Sequence, residues 1–270
     1  MSKTSKDRAP PKTITQLIGQ LAYRHSSWQV FADFVEMGAI CFSNGADLAQ
    51  REAREARYME IIKRYNPDEV KLFPEMLGAL VIGLEEEPED ILGRTYHELE
   101  LHNKWAGQYF TPFPLCRAMA KMIVGDGADI QEKIAERGFL SASEPACGSG
   151  AMVIALALEL KERGVNYQQQ LHVTAVDVDA KCVHMTYLQL SLLHIPAVVV
   201  HGNSLSLEEF GRWYTPAHIM NGWNYKLRRA ALAPETEPQA SAQTTELVAQ
   251  PDEPEKKPIP TGKPSQLTLF

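Results

Sequence analysis

Two stretches carry residue types and spacings suited to holding a nucleotide-like ligand. Residues 144–150 read Glu-Pro-Ala-Cys-Gly-Ser-Gly. Gly148 and Gly150 allow the backbone to pass close under a ligand and to turn sharply. The apolar run that follows, Ala151 to Arg163, reads as a helix whose unpaired N–H groups face a carboxylate or phosphate. Further on, Asp177 stands near the end of a strand-like run, Leu171 to Val178. An acid at that place commonly holds the two hydroxyls of a ribose. The pair describes a site for an adenosine-bearing cofactor. The loop is neither Gly-x-Gly-x-x-Gly nor Gly-x-x-x-x-Gly-Lys-Ser/Thr, which weakens a dinucleotide reading and sets aside a phosphate loop. Taken alone, the glycine loop also reads as a plain strand–helix turn without a ligand.

The elements needed to position these residues follow from the pattern around them. Phe139 to Ser143, Leu171 to Val178 and Ala197 to Val200 read as strands, separated by helices at 151–163 and 180–194. Strand, helix, strand, helix, strand is the signature of a parallel sheet, half of a doubly wound fold. Pro114 to Val124 and Ile130 to Arg137 are helices on either side of a Gly-Asp-Gly turn. Residues 206–230 give no clear pattern.

Upstream, helical periodicity dominates: Thr13 to Tyr23, Trp28 to Phe42, Asp47 to Tyr65, then helix starts at Asn66-Pro67 and at Pro88. Arg51, Arg54 and Arg57 share a face with Glu52 and Glu55, a salt-bridged surface in the simpler reading and a phosphate contact in the sharper one. Seven of the seventeen prolines lie between Pro234 and Pro264, among Glu, Gln, Ser, Thr and Lys, a composition that cannot bury enough surface to fold. The expected organisation is an α/β chain: a disordered lead (1–11), a helical N-terminal domain (12–104), a sheet domain (105–231), a Pro-rich linker (232–265) and a terminal peptide (266–270).

Composition sets the outer bounds. In 270 residues, 44% are hydrophobic and 23% charged, ordinary for a globular chain. The net charge of −7 argues against a binder held on nucleic acid by charge alone. Four scattered cysteines with no Cys-x-x-Cys pair point away from a disulfide framework or structural zinc, so no metal is expected. The first residues lack the apolar core of a signal peptide, and the longest apolar stretch, Met152 to Leu158, falls far short of a membrane span. A cytoplasmic protein without membrane contact is expected.

Three blocks resemble one family. Glu144 to Gly150 is similar to the Asp-Pro-Ala-Cys-Gly-Ser-Gly loop of adenine-N6 DNA methyltransferases, most of all the modification subunit of type I restriction–modification systems. Gly107-Gln108-Tyr109-Phe110-Thr111-Pro112 resembles that family's Gly-Gln/Glu-Phe/Tyr-Tyr/Phe-Thr-Pro block, and Asp90-Ile91-Leu92-Gly93-Arg94-Thr95-Tyr96 its Asp-Ile-Leu-Gly-x-x-Tyr helix. The resemblance covers roughly residues 88–205. It implies a Rossmann-like sheet, truncated here, that binds S-adenosyl-L-methionine and transfers its methyl group to adenine in DNA, with a specificity subunit as a partner. By the same resemblance, Tyr109, Thr111 and Pro112 border the methionine end of the cofactor. The Ala146–Gly150 backbone, with Gly148, passes under it, Glu144 replaces the family's Asp, Asp177 takes the ribose hydroxyls, and Asn203 accepts from the adenine amine. A small-molecule methyltransferase is disfavoured by the Gly107–Pro112 block.

The family's Asn/Asp-Pro-Pro-aromatic motif, which holds and stacks a flipped adenine, is missing. At the expected distance stands His218-Ile219-Met220-Asn221-Gly222-Trp223-Asn224-Tyr225. Asn221 is the candidate for the amine slot and Trp223, or Tyr225, for the stacking slot. A surface turn is the competing reading, and with it a cofactor-binding module that has lost its chemistry. Finally, Gln266-Leu267-Thr268-Leu269-Phe270 resembles the peptide by which bacterial replication and repair proteins dock on the DNA sliding clamp. Gln266 is its polar anchor and Leu267, Leu269 and Phe270 its apolar triplet, the competing reading being that these three apolar residues fold back onto the protein's own core.

Overall fold

The computed structural model describes residues 12–100, 110–232 and 267–268. Its helical part opens with α1 (Ile14–Leu21), started by a capping box in which Thr13 and Gln16 exchange hydrogen bonds. The α1 stripe of Ile14, Leu17, Ile18 and Leu21 is buried. Next come α2 (Ser27–Ala46) and α3 (Arg51–Ile62). The helix expected from Asp47 starts later, because Asp47 closes α2 with its N–H on the Ser43 carbonyl. Asn66 caps α4 (Pro67–Val70), followed by α5 (Leu72–Glu86) and α6 (Ile91–Glu100).

The α/β part contains α7 (Phe113–Val124), α8 (Ala128–Arg137), β1 (Leu140–Glu144), α9 (Ala151–Glu162), α10 (Tyr167–Gln170), β2 (Leu171–Asp177), α11 (Ala180–Leu192) and β3 (Ala197–Asn203). Then follow β4 (Glu208–Tyr214), α12 (Pro216–Met220), α13 (Trp223–Leu232) and β5 (Leu267–Thr268). The sheet order is β4-β3-β2-β1-β5. β1, β2 and β3 are parallel, in a register that aligns Glu144 with Ala175 and Asp177 with His201. β4 folds back antiparallel on β3, and β5 pairs in parallel with Ala142 and Ser143.

One continuous core joins the helical part to the sheet, from Leu17 and Phe31 through Tyr187 and Leu188 to Val173 and Val199. α2 crosses α11 so closely that a Cβ on Gly38 would stand 2.8 Å from a Leu188 methyl. The boundary expected near residue 104 and the linker beyond Leu232 lie outside the described residues. Among the described residues no helix is long and apolar enough to cross a membrane.

Arg54 and Arg57 are both paired within the fold, Arg54 nearly buried and Arg57 at the surface. Arg54 pairs with Asp47, bonds the Arg212 carbonyl and lies 3.9 Å over the Trp213 ring. Arg57 forks onto Glu36. Arg54 is thereby committed to packing, and Arg57 to a salt-bridged surface.

Candidate functional site

The parallel register brings the carboxyl ends of β1, β2 and β3 to one edge, and with them Glu144, Asp177 and Asn203. After β1 the chain turns through Pro145–Gly150 into α9. Gly150 donates to the Cys147 carbonyl at 2.8 Å to close the turn. Gly148 has φ +54 and a Cβ there would meet the Phe110 ring at 2.9 Å, so both its backbone conformation and its neighbour require glycine. A cavity of about 300 Å³ opens between this loop and the start of α7, lined by Glu144, Ala146, Gly148, Ser149, Phe110 and Thr111 among others. Pro112, which caps α7, follows directly. Tyr109 lies outside the described residues.

The loop is tied down from several sides. Asp177 accepts the Gly148 N–H at 2.8 Å through one oxygen and the Asp179 N–H at 2.9 Å through the other. Thr186 donates to the Gly148 carbonyl at 2.9 Å, Gln189 to the Ser149 carbonyl at 2.8 Å, and Ser204 to the Pro145 carbonyl. Sequence reasoning missed these last three. A signal existed for two of them: Thr186 and Gln189 sit three apart, on one face of α11, and both are fully buried in a helix otherwise rich in apolar residues.

Charge at the site is set by burial. Burial pushes the Glu144 carboxyl up to about 7, against the Ala146 N–H that stabilises its charged form. One Glu144 oxygen accepts that N–H at 3.2 Å, while the other is buried with no partner among the described residues. Burial also raises Asp177, opposed by its backbone donors. The Cys116 thiol in the same cavity is pushed up to about 11 and that of Cys147 higher still, so neither is a nucleophile near neutral pH. The arrangement offers carboxylates and backbone groups to a ligand and no thiolate for covalent attack.

Three expected residues need correction. Asn203 reaches the right edge, but its side-chain oxygen accepts from Leu205 and Ser206 N–H groups at 2.9 and 3.2 Å. Its acceptor capacity is committed to its own turn, so this oxygen is not free to accept from an adenine amine. Asn221 and Trp223 lie at the other end of the sheet. Asn221 closes α12 and donates to the Gln168 carbonyl, just before β2 begins. Trp223 is fully buried against Phe139 and His172, at the amino ends of β1 and β2. Seven-residue β2 separates this end from the carboxyl edge by about 20 Å. A buried indole cannot stack on a base, so the two do not form the catalytic pair. Tyr225, the other aromatic considered, is exposed on α13.

Residues 87–227 match the family model described as N-6 DNA methylase, which is more than half of the chain. Among solved structures, the chain is similar to one named as a class I S-adenosylmethionine-dependent methyltransferase from Listeria monocytogenes. The identity is 12%, the TM-score 0.38, and 78% of this chain and 68% of that chain are covered. That likeness is too loose to carry an argument. No curated protein matches the sequence.

Proposed function

The chain belongs to the N-6 DNA methylase family, and from this premise we propose that it binds S-adenosylmethionine at the carboxyl edge of β1 and β2 and serves methylation of adenine N6 in DNA. Membership makes S-adenosylmethionine its cofactor. The residues present suit it. The unpartnered Glu144 oxygen asks for a cationic donor, and this cofactor carries an ammonium. Glycine at 148 lets the Phe110 wall of the cavity close onto the loop backbone, and each Asp177 oxygen keeps a lone pair for a hydroxyl. When bound, the cofactor supplies an activated methyl group. The chain's part is to orient it and keep its charged end paired.

The finer reading turns on the target base. No Asn/Asp-Pro-Pro-aromatic tetrapeptide occurs in the sequence, and Asn221 and Trp223 are at the wrong end of the sheet to replace it. We therefore place the contacts to the flipped adenine on a second polypeptide, in keeping with the resemblance to type I modification subunits and their specificity partner. The burial of Trp223 favours a second reading as well: a cofactor-binding module with no transfer of its own. Calorimetry with S-adenosylmethionine should give one site per chain, and labelled cofactor with mixed DNA should give at most slow transfer by the isolated chain, confined to adenine N6. No heat at millimolar cofactor with the protein folded removes the first statement; brisk transfer by the isolated chain removes the second.

Glu144 makes the affinity depend on pH. A cationic ligand selects the ionised carboxylate, so binding strengthens as pH rises through about 7. Between pH 6 and 7, below the range where the cofactor's own α-amino group loses its proton, the gain is about fivefold, the change in ionised fraction across that window, and Glu144→Gln should flatten it. The free chain shows the opposite trend. Its folded form releases this proton only near 7 and its unfolded form near the ordinary 4.5, so this group's contribution to stability falls as pH rises between them. Calorimetry and thermal melts at several pH values check both signs; an affinity that is flat in pH for the native chain takes Glu144 away from the ligand.

The terminal peptide is proposed to dock on the bacterial sliding clamp. Gln266, Leu269 and Phe270 lie outside the described residues, while Leu267 and Thr268 pair with β1. Clamp docking through the same residues requires that pairing to open, a small cost for a two-residue ladder. Immobilised clamp should retain the full chain and not one ending at Ser265. Equal recovery of both removes the clamp.

A further inference from the structure

The Asp90 side chain is buried, yet it belongs to the helical part and not to the cofactor loop. One of its oxygens accepts the Gly93 N–H at 2.9 Å, which caps the start of α6, and the Gln189 amide at 2.9 Å. The other accepts the Ser149 hydroxyl at 2.5 Å. Gln189 completes the ring: its oxygen accepts the Leu92 N–H at 3.1 Å and its amide also donates to the Ser149 carbonyl. A single carboxylate thus joins the N-terminus of α6 to the residue two before α9. The packing leaves no slack, since a Cβ on Gly93 would overlap both the Asp90 carboxylate and the Ser149 hydroxyl.

The same helix frames the opposite wall of the cavity. Tyr96 and His97 of α6 pack on Phe110, with ring centroids 4.8 and 5.5 Å apart, and Phe110 lies over Gly148. Both walls of the cavity are therefore referenced to α6. All three groups aimed at Asp90, the Gly93 N–H, the Gln189 amide and the Ser149 hydroxyl, act as donors. Two carboxylate oxygens satisfy them. An asparagine would keep its oxygen on Gly93 and Gln189 and turn its N–H₂ to Ser149, whose hydroxyl must then accept, so the charge-assisted bond to Ser149 is exchanged for a weaker neutral one.

We propose that Asp90 is a positioning residue for cofactor binding, acting through Ser149 to hold the 146–150 loop in register with the Phe110 wall. The inference rests on the reading of this edge as the S-adenosylmethionine site. Its consequence is that the helical part is energetically coupled to cofactor affinity although Asp90 does not line the cavity.

The test is a double-mutant cycle on cofactor affinity, read by calorimetry, with Asp90→Asn, Ser149→Ala and the pair. Each single change should weaken binding about tenfold, and the pair should be no worse than either alone. Hydrogen exchange without cofactor should quicken at residues 146–151 in Asp90→Asn. Leu17→Ala, in the α1 core, serves as the control: it should lower the melting temperature and leave affinity unchanged. Folded Asp90→Asn with native affinity overturns the proposal, as do losses that simply add in the pair. Should Asp90→Asn fail to fold, Ser149→Ala takes its place, since it removes the contact and keeps the α6 cap; native affinity there overturns the proposal, as does a loss without quickened exchange at 146–151, because Ser149 itself lines the cavity. A native chain that binds no cofactor defeats the functional reading instead, and exchange at 146–151 then judges the Asp90 contact by itself, unchanged rates overturning it.

Discussion

Asp177→Ala is expected to weaken S-adenosylmethionine binding about 30- to 100-fold. The number follows from what the carboxylate does. It holds the Gly148 N–H and the Asp179 N–H, one with each oxygen, and in the proposed complex it also meets the ribose hydroxyls. Hydrogen bonds to a charged group contribute about 1.5–3 kcal/mol each, and the loop retains its ties to Thr186, Gln189 and Ser204. A net loss of about 2–3 kcal/mol is the result, at 1.4 kcal/mol per factor of ten. Asp177→Asn keeps one acceptor and should fall between the two. Calorimetry on variants shown by circular dichroism to be folded measures it; a loss under threefold takes Asp177 out of the site.

The part of this site legible in the sequence was the part built from local pattern. Gly148 and Gly150 mark a turn by composition, Asp177 marks a strand end by position, and the alternation of strands and helices from 140 to 203 forces them to one edge. What was not legible depends on long-range contact. Asp90 meets Gln189 across 99 residues of chain and Ser149 across 59, and no local period announces either. β4 escaped because it is an exposed edge strand, carrying Glu208, Glu209 and Arg212 where a buried strand would show an apolar run. The assignment of Asn221 and Trp223 failed for a related reason. Spacing from Asn203 suggested a site, but Asn221 is the C-cap of α12 and Gly222, at φ +66, is the left-handed residue that ends such a helix. Asn-Gly there is a helix stop, and Trp223 is the first residue of the helix that follows.

That difference is measurable at Trp223. Removing the indole in Trp223→Ala should destabilise the fold by about 3–5 kcal/mol, the usual cost of emptying a buried aromatic site. The ring is fully buried, stands edge-on to Phe139 at 5.1 Å, packs on His172 and carries Lys226 over its face at 4.4 Å. Its Nε1 finds no acceptor among the described residues, so Trp223→Phe forfeits volume and no hydrogen bond, at a cost on the order of 1–2 kcal/mol. Asn221→Ala loses one bond to the Gln168 carbonyl, about 1 kcal/mol. Cofactor affinity of the folded fraction should be the same in all three, because about 20 Å of sheet separates them from the cavity. Denaturant unfolding gives the stabilities and calorimetry the affinities. A Trp223→Ala chain as stable as the native one, with methyl transfer to DNA abolished, would return the indole to the active site; a large loss of stability with unchanged affinity per folded chain keeps it in the core, and leaves the stacking of a target adenine to be supplied from elsewhere.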